Sequence, residues 1–126
     1  MPLVRIDLIK GKDEAYRRKL GETVYQALRS VGVPELDRFQ VIAEHDEGNF
    51  LFDPEYLGIQ RSKNLVIIQI TWNAGRSIAQ KQALYLAIAD GLHEAVGLRR
   101  EDVFINLVEV AKENWSFGNG IAQYAV

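Results

Sequence analysis

A chain of 126 residues, 48% hydrophobic and 25% charged, carries enough apolar side chains for one compact core and too little length for two ordinary domains. Its 15 Lys and Arg against 17 Asp and Glu leave a formal charge of -2, which excludes nucleic acid or an anionic membrane as the main partner, because both select clustered positive charge. The absence of cysteine excludes a disulfide framework, a thiolate metal site and a cysteine nucleophile, and fits a reducing compartment such as the cytoplasm.

In chain order, Met1-Pro2 leads directly into a strand-like run, Leu3 to Ile9, which leaves no room for a signal peptide. From about Asp13 to Val31 the apolar residues Leu20, Val24, Leu28 and Val31 recur at helical spacing, and Gly32 is placed to end that helix. A second strand is expected from about Phe39 to His45. The stretch from Asp46 to Lys63 holds glycine, asparagine and Asp53-Pro54, with Phe50-Leu51-Phe52 reading as a short hairpin strand. Leu65 to Trp72 is the third strand, and its apolar run is far shorter than the ~20 residues a membrane span requires. Ser77-Ile78-Ala79-Gln80 is a capping box that opens a helix with Leu84, Ile88, Leu92 and Val96 along one face and Gly97 at its end. Val103 to Val110 is the fourth strand, followed by an aromatic and glycine-rich tail.

These elements repeat. Gly32-Val33-Pro34-Glu35-Leu36-Asp37-Arg38-Phe39 is echoed 65 residues later by Gly97-Leu98-Arg99-Arg100-Glu101-Asp102-Val103-Phe104, so one domain over 1–126 contains two β-α-β units, about 2–45 and 65–110. The expected fold is α+β, a four-stranded mixed sheet with two helices on one face. The other face then needs cover for residues such as Ile67 and Phe104, and self-association is the simplest source.

Four places carry candidate chemistry. Pro2 becomes a secondary amine at the head of a strand if Met1 is removed, as methionine generally is before a small residue. An α-amino group titrates near pKa ~8, and an apolar pocket or a nearby cation would leave it neutral enough to accept a proton. The plainer alternative is that proline merely follows the start residue. Arg76 puts a cation at the positive end of the second helix, a cost that a bound carboxylate would offset, although a solvated turn arginine also fits. Asp37 is suited to orienting an amine or activating water, yet its counterpart Asp102 argues for a turn or cap role in both units. Trp115-Ser116-Phe117-Gly118, with Tyr124 beyond, either walls a pocket or anchors the tail. His45 and His93 have no acidic or histidine partner at ligand spacing, so no metal is expected, and no phosphate-cradling loop calls for a cofactor.

The combination of Pro2-Leu3 with Asp7-Leu8-Ile9, Gly32-Val33-Pro34 with Asp37-Arg38, Arg76-Ser77 with Gln80-Lys81, and Trp115-Ser116-Phe117-Gly118 resembles the tautomerase superfamily (4-oxalocrotonate tautomerase-like) over essentially the whole chain. The long-chain branch containing malonate semialdehyde decarboxylase is the most similar. The resemblance implies an amino-terminal proline acting as acid or base at Pro2, an active-site aspartate at Asp37, a substrate-binding arginine at Arg76, and an aromatic wall of Trp115, Phe117 and Tyr124. It also implies a homotrimer and a small carboxylate substrate. One departure matters: the decarboxylase carries two arginines separated by one residue, and this chain reads Ala74-Gly75-Arg76. Loss of the first arginine favours keto–enol tautomerisation of 2-oxo or 2-hydroxydienoic acids over decarboxylation or hydration of 3-oxo or unsaturated acids. A non-catalytic trimeric binding protein that retains Met1 is the alternative from another class.

Overall fold

The computed structural model describes residues 1–125; Val126, the final residue of the expected domain, lies outside the described residues. The elements are β1 (Leu3–Ile9), α1 (Glu14–Ser30), β2 (Phe39–His45), β3 (Val66–Asn73), α2 (Ile78–Val96) and β4 (Val103–Val110), joined by short 3-10 turns. Each begins and ends where its own chemistry dictates. The Asp13 side chain accepts from the Tyr16 amide at 2.8 Å to open α1. Both reciprocal bonds of the Ser77–Gln80 capping box open α2, and Gly97, in the left-handed region at φ 69°, closes it.

The strands form one sheet in the order β2-β1-β3-β4. β1 pairs with β2 in parallel, β3 with β4 in parallel, and β1 with β3 antiparallel, so the two β-α-β units meet at the centre of the sheet. The expected α+β fold is therefore observed, with both helices on one face. Val4, Ile6 and Leu8 of β1 and Ile68, Ile70 and Trp72 of β3 point into that layer and bury themselves against Leu20, Val24 and Leu28 of α1 and Leu84, Ile88 and Leu92 of α2. Each such side chain contributes about 1.5–3 kcal/mol through its removal from water. The helices touch closely where Gly91 faces Thr23: a Cβ at Gly91 would stand 2.6 Å from the Thr23 methyl.

Alternation leaves the opposite face bare, as the sequence requires. Leu3, Phe39, Val41, Phe104 and Val108 all stay exposed on it, and Ile67 and Phe104 are register partners there. Arg5, Asp7, Gln69 and Asn106 are interspersed among them on the same face.

Two expectations need correction. Phe50-Leu51-Phe52 is not a hairpin strand: it lies between the 3-10 turns Glu47–Asn49 and Tyr56–Gly58. Phe50 is drawn inward, its ring 5.9 Å from His45 and 6.0 Å from Phe52, so packing rather than a hydrogen-bonded ladder fixes the segment. His45 does have an acidic partner, because its Nε2 lies 2.6 Å from Asp7 Oδ1. Parallel pairing of β1 with β2 brings these residues together across 38 positions of sequence, which no local spacing could reveal. Among the described residues, no helix is long and apolar enough to cross a membrane, and no group of three or more His, Cys, Asp or Glu is arranged to hold a metal.

Candidate active site

The parallel strands β1 and β2 begin side by side, with Leu3 opposite Phe39. Extending that register by two residues sets the amino terminus beside Asp37, and the structure places the Met1 nitrogen 3.4 Å from Asp37 Oδ2. Three covalent bonds separate that nitrogen from the nitrogen of Pro2. Asp37 Oδ1 is buried and has no hydrogen-bond partner among the described residues, an arrangement that costs about 1–3 kcal/mol.

The duplicated position behaves differently. Asp102 is fully buried, and its two oxygens accept from the Ser62 amide at 2.7 Å and the Ser62 hydroxyl at 2.6 Å. The reading of both aspartates as turn residues therefore holds for Asp102, a buried staple between the loop and β4. Asp37 instead offers a carboxylate to the chain terminus.

Pro2 is buried at the floor of a cavity of about 200 Å³ whose walls include Leu3, Phe39, Trp115 and Phe117. The tail that supplies the aromatics is held in place by its own bonds. Trp115 stacks on Phe117 with ring centroids 5.5 Å apart, Gln123 accepts from the Phe117 amide at 2.9 Å, and the same side chain donates to the Gly118 carbonyl at 2.9 Å. Tyr124 stands behind this wall, its ring edge-on to Phe117 at 4.9 Å and outside the cavity lining. It supports the wall rather than forming it.

Arg76 lies at the junction of β3 and α2, one residue before the capping serine. Its guanidinium stacks over the buried Trp72 ring at 4.1 Å, and Nη1 donates to the Asn73 carbonyl at 2.8 Å. Partial burial lowers its pKa, while the carboxylates of Glu109 and Asp37 oppose that shift; an arginine stays charged regardless. Glu109 itself pairs with Lys81, whose bond holds the Glu109 carboxyl below its usual range. Arg76 is not part of the cavity lining, but it feels the same Asp37 that faces the terminus. Its remaining nitrogens can present a bidentate face to a carboxylate.

The arrangement thus joins a strand-head amine, a carboxylate with an unused oxygen, an oriented guanidinium and an apolar enclosure. Sequence reasoning missed three participants: Phe39 in the wall, Trp72 beneath Arg76, and Asn73, which contacts both Arg76 and Trp115. Phe39 had a signal, since a residue in register with Leu3 must neighbour Pro2. Asn73 meets Trp115 across 42 positions, whereas Trp72 lies only four residues before Arg76 and its place under the guanidinium depends on how the chain turns between β3 and α2.

The chain matches a family model described as a tautomerase enzyme over residues 37–118 and a second of the same description over residues 2–60. It is 44% identical to the probable tautomerase YusQ of Bacillus subtilis (strain 168), with 98% of each chain covered. Among solved structures it is similar to the FG41 malonate semialdehyde decarboxylase inhibited by 3-bromopropiolate, at 40% identity and a TM-score of 0.91, covering 98% of this chain and 94% of that one. It also shares its fold with a fused 4-OT solved as a symmetric trimer, at 22% identity and a TM-score of 0.79 over 98% of both chains.

Proposed function

The chain belongs to the tautomerase superfamily, and from that premise we propose that it is a cytoplasmic, cofactor-independent keto–enol tautomerase of small 2-oxo or 2-hydroxydienoic acids, acting as a homotrimer. The observation that carries this reading is the position of the amino terminus: once Met1 is removed, the secondary amine of Pro2 opens into an aromatic-walled cavity within reach of Asp37. In the proposed reaction Arg76 binds the substrate carboxylate and stabilises the negative charge that develops on the enolate. The neutral Pro2 amine takes the proton from the enol hydroxyl and, as prolinium, delivers it to carbon. Trp115 and Phe117 exclude water, which strengthens both interactions. Proton transfer by a positioned base contributes ~10²–10⁴-fold, and electrostatic stabilisation of the enolate by Arg76 contributes a comparable factor.

Two observations favour decarboxylation or hydration of a small 3-oxo or unsaturated acid as the second reading. The similar solved decarboxylase is one. The other is Asp37, whose carboxylate lies beside the chain terminus and whose spare oxygen is suited to directing water. Against it stands Ala74, where that branch has an additional arginine to polarise the substrate. Titration of the Pro2 nitrogen separates the two. An amine mostly neutral near pH 7 supports the tautomerase, and one fully protonated there supports the rival.

A further inference from the structure

Asn73, the last residue of β3, bonds to both halves of the site, through its main chain on one side and its side chain on the other. Its main-chain oxygen accepts from Arg76 Nη1 at 2.8 Å, and its side-chain Oδ1 accepts from the indole Nε1 of Trp115 at 2.7 Å. Because β1 and β3 are antiparallel with Leu3 opposite Thr71, continuing the register by two residues also sets Asn73 across from Met1. The residue therefore bonds both the guanidinium and the aromatic wall, from the strand that neighbours the chain terminus.

We propose that Asn73 is a positioning residue for substrate, holding Trp115 over the cavity at a fixed distance from Arg76; this deepens the reading given above and rests on it. An indole N–H is a donor only, so it requires an acceptor where it is half-buried, and it fixes the Asn73 amide with oxygen toward the ring. Trp115 then carries Phe117 with it through their stacked rings, and Phe117 carries Tyr124. The carbonyl bond to Arg76 comes from the backbone and survives any substitution at Asn73. Changing the side chain consequently frees the wall without freeing the anchor, and the distance between them ceases to be set.

The test combines steady-state kinetics on an enolised aryl-pyruvate with tryptophan emission, on Asn73→Ala, Trp115→Phe, the double variant and Asn73→Asp, each checked for folding by circular dichroism. Asn73→Ala is expected to raise KM about threefold to tenfold with a smaller change in kcat, and to shift the emission assigned to Trp115. Trp115→Phe keeps an aromatic wall but removes the donor, so it reproduces the KM effect, and the double variant is no worse than either single one. Asn73→Asp retains an acceptor and restores the emission of the wild type. Unchanged KM and emission in Asn73→Ala, or additive effects in the double variant, would overturn the proposal. A wild type without Pro2-dependent turnover would instead sink the reaction reading, and the emission shift would still decide whether Asn73 holds Trp115.

Discussion

Asp37 holds its carboxylate 3.4 Å from the Met1 nitrogen, and its counterpart in the repeat, Asp102, spends both oxygens on Ser62. The two aspartates occupy the same turn of the same motif, yet one closes a hydrogen-bond network and the other leaves an oxygen free.

That contrast predicts opposite phenotypes. Asp102→Ala strands the Ser62 amide and hydroxyl and should destabilise the protein by about 1.5–3 kcal/mol for each bond to the charged group, read as a lowered denaturation midpoint. Asp37→Asn should alter stability little and change turnover, with a shift of the pH–rate profile as the signature of a carboxylate that influences the amine.

Removal of the Arg76 guanidinium should act on catalysis. Arg76→Ala is expected to reduce kcat/KM about 10²–10³-fold, since in the proposed reaction this group serves both the carboxylate and the developing enolate charge. Arg76→Lys keeps the charge but not the planar fork that stacks on Trp72, and should recover only part of the loss. Wild-type kinetics in Arg76→Ala would remove the anchor role.

The open sheet face predicts assembly. Leu3, Phe39, Val41, Phe104 and Val108 leave apolar side chains exposed on this face, and a homotrimer would cover them. Phe104→Arg should convert the trimer to monomer in sedimentation while leaving the helix-covered core intact. A wild-type protein that sediments as a monomer would contradict the assembly.

The capping box gives a prediction confined to stability. Ser77→Ala removes an acceptor from the first turn of α2 and should cost about 0.5–2 kcal/mol in thermal or denaturant unfolding.

Much of the fold was legible because its determinants are local. The capping box at Ser77, the glycine at Gly97 and the 3.6-residue spacing of Leu84, Ile88 and Leu92 define α2 without reference to anything distant, and the repeat then supplies the β-α-β topology. Phe50-Leu51-Phe52 misled because three apolar residues look alike whether they enter a ladder or fill a gap beside His45. The candidate site residues Pro2, Asp37, Arg76 and Trp115 stood out in the sequence by residue type, whereas their spatial arrangement did not. The repeat made Asp37 look structural, since identical spacing conceals which carboxylate has a partner. His45 and Asp7, or Asn73 and Trp115, meet only because strand pairing and the returning tail bring them together.

The most direct measurement is intact mass together with ketonisation of an enolised aryl-pyruvate by the wild type and by Pro2→Ala. The account predicts a chain lacking Met1 and a rate that collapses in the variant. A chain that keeps Met1, or a variant as active as the wild type, would contradict proline-based catalysis and leave a binding protein in its place.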